Sequence, residues 1–253
     1  LIPNLDNFSW MTVVAAMGQM FYSLSIAMGI LYTYGSYLKK EVDIEKSTSQ
    51  VEIFDTAIAV LAGLMIIPAV FAFSGGSPDT LQAGPSLMFI TIPKVFANME
   101  MGDGVGILFF LLVLFAALTS AISLTETSVS TFEDQFGWSR RKCSLLMAVI
   151  ILVLGSASAL GFSSLDFVTL LGMSILDFFD FLTNSIMMPL AALATCFLIT
   201  RVVGLDAIAR EVEQSSAFRR KKLYFFFMKY LAPVCIGIIL VSSIANAFGW
   251  ISM

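Results

Sequence analysis

Six apolar runs, at about 10–38, 53–74, 104–133, 143–160, 165–200 and 223–248, leave this chain little to fold into except a lipid bilayer. A helix crossing the hydrocarbon core needs about 17–25 predominantly apolar residues, and each run meets that length. Only 13% of the 253 residues are charged, about half of what a soluble domain carries, so water cannot solvate these surfaces. The expected fold class is therefore an all-α membrane protein, a helical bundle of six transmembrane helices forming a single transmembrane domain over 1–253. The stretch at about 85–97 is too short to span and is interrupted by Pro93 and Lys94. It is expected as a helix on the outer loop.

Charge and composition also exclude partners and chemistries. A net charge of −4 gives no basic face for nucleic acid. The chain has no His, which removes the common zinc and Ser-His catalytic constellations, so no enzyme is expected. An intramembrane hydrolase finds no facing catalytic Asp pair. Cys143, Cys196 and Cys235 lie in or beside apolar runs with no common spacing and are expected as packing residues.

The basic residues orient the bundle, because Lys and Arg are retained on the cytoplasmic side. Lys39, Lys40, Lys46, Arg140, Arg141, Lys142, Arg201, Arg210, Arg219, Arg220, Lys221, Lys222 and Lys229 all fall on one side, and Lys94 alone on the other. The expected location is the cell inner (plasma) membrane, multi-pass, with the C-terminus outside. No Met or charged leader precedes the first run, and an even number of spans from an outside start implies preceding chain; an N-terminal part is expected to be missing.

The first run is unusual. From Trp10 to Leu38 it would extend about 43 Å as one helix, more than a core of about 30 Å requires. Gly18, Ser23, Ser25 and Gly29 sit at its middle. That pattern suits either a helix broken at membrane depth, tolerated where the freed backbone lines a polar cavity, or a small-residue packing face. Asp55, just inside the second run, is either hydrated at the interface or a cation ligand, since an unpaired carboxylate at depth is costly. In the third run Thr119 and Ser120 stand one turn from Ala116, whose carbonyl would join them in a hard-oxygen set suited to a small hard cation; the hydroxyls can equally bond a carbonyl one turn back. Asp177 and Asp180 open the fifth run as an interfacial cap or a gate.

Read in order, GQMFYSLSIAMGILYTYGSYLKK (18–40), FDT (54–56), PSLMFITIPKVF (85–96), FAALTSAISL (115–124), FEDQFGWSRRK (132–142) and LDFFDFLTN (176–184) resemble the second half of a bacterial neurotransmitter:sodium symporter, with a LeuT-like fold. The resemblance covers essentially the whole chain. It implies spans six to eleven of an eleven-span transporter: the second inverted repeat plus one extra span, with the first span discontinuous and spans one to five missing. By aligned motif position it implies substrate contacts at Tyr22, Ser23, Ser25, Met28, Ser120 and Leu124. It implies sodium ligands at Ser23 and Asp55 for one ion, and at Ala116, Thr119 and Ser120 for a second. Gln19 and Asp180 would belong to the outer gate, Tyr37 and Asp134 to the inner one. Ala27-Met28-Gly29 departs from the commoner GxG by placing Ala first, which restricts the backbone at the break.

The function so implied is sodium-coupled symport of an amino acid. The apolar Tyr22, Met28 and Leu124 carry no charge to greet an acidic or basic side chain, so the substrate is expected to be hydrophobic or aromatic. Two Na⁺ ions, the substrate, the bilayer and the missing spans are the expected partners. No chloride is expected, because Asp55 supplies a fixed negative charge, and proton antiport is expected on its return step. The alternative is a truncated, non-transporting membrane scaffold or interaction protein of the same fold.

Overall fold

The computed structural model describes residues 9–73 and 84–247. Among them all regular structure is helical, with one isolated bridge between Leu170 and Met173. The polar break after the second run, and the ends of that run at 74 and of the last at 248, lie outside the described residues, as does Met253.

The first run is built as two helices, α1 (Trp10–Ser23) and α2 (Ile30–Tyr37). Ser9 caps α1, accepting from the Thr12 amide at 3.2 Å while Thr12 Oγ1 accepts from the Ser9 amide; such reciprocal caps satisfy two otherwise orphaned donors. α3 (Ile44–Phe73) begins nine residues ahead of the apolar run, because the Asp43 carboxylate accepts the Lys46 amide at 2.9 Å and draws the polar KSTSQ stretch into the helix. α4 (Leu87–Ala97) is the short loop helix, and α5 (Gly102–Phe136) follows it. Gly137, at φ +62°, ends α5 in the left-handed conformation that glycine adopts without strain. α6 (Arg140–Leu160) comes next.

The fifth run departs most from its expected bounds. Residues 161–173 form turns, and the helix α7 (Ile175–Val203) starts ten residues late, where Ser174 accepts the Asp177 amide. A pair of π-helical stretches, Phe181–Met187 and Leu198–Val203, interrupts it. The polar segment before the last run holds the short helix α8 (Leu205–Glu213), anchored by buried Ala209 and Val212. α9 (Lys221–Asn246) closes the described chain.

α3, α5, α6, α7 and α9 are long and apolar enough to cross a membrane, and few of their residues are buried within the chain. Apolar helices of this length call for a bilayer rather than water around them, and the chain is an integral membrane protein. The residues form two compact units, one holding 50–122 and the other 9–49 with 123–247. In the first, Phe96 of α4 packs edge-on against Phe109 of α5 at 5.3 Å. In the second, Phe21, Met188, Ala192, Cys196 and Ile236 join α1, α7 and α9 in one cluster. Cys143 and Cys196 are buried free thiols, in keeping with a packing role.

Candidate functional site

The break between α1 and α2 is closed by the backbone itself. The Leu24, Ser25 and Ile26 amides turn back onto the carbonyls of Met20, Tyr22 and Phe21 at 3.0, 3.0 and 3.1 Å. This is the Schellman arrangement, which places one residue in the left-handed region. That residue is Ser25, at φ +54°, where glycine is usual. Ala27 follows at φ +63° and Gly29 at φ +80°. Each non-glycine residue there costs roughly 1–2 kcal/mol, so the strain is concentrated on the segment expected to bind substrate. The restriction expected of Ala27 is met by holding the alanine in the left-handed region.

Buried Phe21 and Ile30 pin either side of the break. Tyr22 is exposed and Ser23 and Ser25 are half-buried, whereas Met28 packs with Ala27 against the Phe21 cluster. Leu24, Ile26 and Ala27 line an apolar cavity of about 530 Å³ shared with Cys196 and Ile236. α2 starts at Gly29 without any side-chain cap, so its first amides present the positive end of a helix dipole where α1 presents its negative end. An ammonium and a carboxylate can be recognised by two such ends.

α2 is tied to the second half of α5. The Tyr34 hydroxyl and Ser123 Oγ are 2.6 Å apart, and one turn on Tyr37 donates to Glu126 Oε1 at 2.7 Å. A Cβ on Gly29 would lie 2.6 Å from Thr127 Cγ2, so glycine is required there by contact as well as by φ. Arg140, the first residue of α6, pairs with Glu126 and reaches Glu133 at 3.7 Å. The expected inner-gate residue Tyr37 is thus joined to Glu126, while Asp134 is exposed on the next turn but one. Glu126 and Arg140 were not expected here: fourteen positions separate them, and only the glycine turn at 137 brings α6 back onto α5.

Of the residues expected at the outer gate, Asp180 accepts from Asn184 Nδ2 one turn on. Asp177 is held in the α7 cap, its carboxylate taking the Ser174 hydroxyl at 2.7 Å. Gln19 is exposed on α1, and Leu124 is exposed on α5 beside Ser123.

In the other unit, Asp55 is half-buried on α3. Thr119 Oγ1 donates to the Ala116 carbonyl at 2.9 Å, which brings two of the expected cation ligands side by side and also shows how the hydroxyl is satisfied without an ion. Ser120 is exposed on the same helix.

Residues 1–249 match the family described as Sodium:neurotransmitter symporter family, a family of transporters rather than enzymes. The sodium-dependent transporter YhdH of Bacillus subtilis is 30% identical over 246 residues, covering 96% of this chain and 54% of that protein. A sodium-dependent transporter of Haemophilus influenzae is 33% identical over 245 residues, covering 96% and 52%. The crystal structure of MhsT in complex with L-phenylalanine superposes with a TM-score of 0.82 at 36% identity, over 93% of this chain and 54% of MhsT. The chain spans about half the length of the relatives it matches.

Proposed function

The chain belongs to the sodium:neurotransmitter symporter family, and from that membership we propose that it supplies half of the substrate and sodium sites of an amino-acid symporter working by alternating access. The observation that carries this reading is the break itself, with left-handed Ser25, Ala27 and Gly29 between two helix ends of opposite polarity, the second of them without a side-chain cap. Substrate carboxylate and ammonium are taken up there, with Tyr22 as the aromatic lid over Ser23, Ser25, Met28, Ser120 and Leu124. The ions are substrates as well: Ser23 and Asp55 contribute oxygens to one Na⁺, and the Ala116 carbonyl, Thr119 and Ser120 to the other.

The rest of each site comes from spans one to five, which the relatives' double length supports. In this reading α1 with α2 counts as one discontinuous span, making six with the other five. The basic loops face the cytoplasm of the plasma membrane and the C-terminus faces outside. Each Na⁺ entering down the potential contributes about 2.3 kcal/mol per 100 mV, which drives accumulation. A hydrophobic or aromatic substrate is supported by the apolar Tyr22, Met28 and Leu124 and by the phenylalanine bound in MhsT.

The test is sodium-dependent binding of L-phenylalanine and L-leucine to the purified chain, alone and fused behind the first half of the Haemophilus influenzae transporter. The chain alone should show none, and the fusion, once shown to be monodisperse and helical, should show it. Specific micromolar binding by the chain alone sinks the half-site assignment. A well-folded fusion that binds no amino acid, or prefers glutamate or lysine, sinks the functional one.

A further inference from the structure

The apolar cavity of about 530 Å³ beside the break is walled by three elements, each of them irregular where it faces the space. Leu24, Ile26 and Ala27 belong to the break itself, and Ile199 to the second π-helical stretch of α7. Phe227, Met228 and Leu231 belong to a π-helical stretch of α9, Phe227–Leu231. A π-helical turn bulges the backbone, and such bulges gather at functional sites. The void therefore comes from three separate departures from regular helix rather than from one small side chain.

Its chemistry is that of hydrocarbon. None of the lining side chains is charged, and only Tyr32 and Thr195 carry a hydroxyl. A water held there would need about two to four polar partners. Lys229 falls within the same stretch of α9 but does not line the space; its Nζ lies over the Tyr230 ring, 5.4 Å from the centroid. Met20, Phe227 and Leu231 line the cavity and are themselves exposed, so it opens on the apolar surface of its unit. Left empty, it would forfeit the dispersion contacts of its whole lining.

Its length selects the occupant. Along α9 the lining runs from Phe227 to Ile239, about 18 Å of helix at 1.5 Å per residue. That is close to the depth of one leaflet, half of a hydrocarbon core of about 30 Å. The Phe227 end lies within two turns of Lys221, where α9 leaves the basic loop. We propose that the cavity seats one acyl chain of a phospholipid, entering from the leaflet at the Lys221 end of α9 and running toward Ile239. A chain so seated lies against Leu24, Ile26 and Ala27, beside the left-handed residues of the break.

The test places the purified chain in vesicles of a phosphatidylcholine whose tail carries a photoreactive diazirine near the ester or near the terminal methyl, and maps the crosslinks by peptide mass spectrometry. The α9 residues lining the cavity should be labelled about tenfold more often than Leu145 and Leu152, which are exposed on α6 and meet bulk lipid. The near-ester probe should mark the Phe227 end and the near-methyl probe the Ile239 end. Ala232→Phe puts a ring into the cavity and should lower its labelling to the level of α6, with helicity retained. In the unsubstituted chain, equal labelling of cavity and α6, or the reverse order of the two probes, overturns the inference without recourse to the variant. An unlabelled cavity beside a labelled α6 also overturns it, assigning the space to a second copy of the chain. Labelling lost on fusion behind the first half of the Haemophilus influenzae transporter overturns it in favour of a span of that half, and a folded variant labelled as the unsubstituted chain does so as well. No sodium or amino acid enters the measurement, so its outcome is independent of the transport assignment.

Discussion

Tyr37 donates its hydroxyl to Glu126 Oε1 at 2.7 Å, and the other oxygen of the same carboxylate takes Arg140 from the start of α6. One carboxylate therefore fastens two helices, α2 and α6, to α5. Because α2 is the half of the broken helix beyond the segment proposed to bind substrate, this fastening governs whether that half can swing.

Tyr37→Phe and Glu126→Gln should each loosen α2, seen as faster hydrogen exchange across 30–37. A double-mutant cycle should return a coupling of about 0.5–1 kcal/mol, the lower part of the hydrogen-bond range because both groups are partly exposed. Glu133→Gln, removing only a 3.7 Å contact, should leave exchange in α2 unchanged. Independent effects of the two substitutions would show that the bond does not restrain the helix.

Gly29→Ala should destabilise the protein by about 2–4 kcal/mol, combining the left-handed penalty with overpacking against Thr127. Thr127→Ser in the same background removes the methyl in the way and should restore the overpacking part only, leaving about 1–2 kcal/mol. Thermal unfolding in detergent checks both. Full restoration would mean that φ at position 29 carries no cost.

Gly102→Ala meets a harder obstacle, since its Cβ would run into the Phe96 carbonyl oxygen, which is backbone and cannot rotate away. A destabilisation of about 3 kcal/mol is expected, with α4 lifting from α5 and the Phe96 ring parting from that of Phe109. Gly104→Ala, with nothing within 4 Å of its Cβ, is the control. It should be neutral or stabilise by up to about 1 kcal/mol through helix propensity. A tolerated Gly102→Ala, by melting temperature and exchange in α4, would contradict the close approach.

Asp55 should make chloride unnecessary to the complete transporter. Two unit charges about 4 Å apart interact by roughly 4 kcal/mol at an effective dielectric of 20, enough to balance a sodium ion without a separate anion. Uptake by the fused protein with gluconate in place of chloride should be unaffected, and Asp55→Asn should lose sodium affinity or acquire a chloride requirement. Wild-type dependence on chloride, or an indifferent Asn variant, refutes the assignment.

Much of the fold was written in the composition of single segments. A 29-residue apolar run with Gly18, Ser23, Ser25 and Gly29 at its centre suits either a break or a small-residue packing face, and the structure breaks there. Helix starts were less legible where a cap overrides hydropathy: Asp43 pulls α3 back to Ile44, and Ser174 withholds α7 until Ile175 although the apolar run begins ten residues before. The left-handed Ser25 and Ala27 were not legible at all, since neither residue favours that region and only the surrounding packing holds them in it. Nor was the Glu126–Arg140 pair, whose members meet through a turn rather than along a helix face.

The start of α6 shows membrane topology and helix electrostatics at odds. Arg140, Arg141 and Lys142 crowd its first turn with no acid among them and no side-chain cap at Ser139, although the positive end of the helix dipole lies there and repels cations. In the proposed orientation, retention of basic residues on the cytoplasmic side places them at this end. Glu126 and Glu133 therefore act as an acid cap lent by the preceding helix. Neutralising them should fray α6 from its first residue even though neither belongs to it.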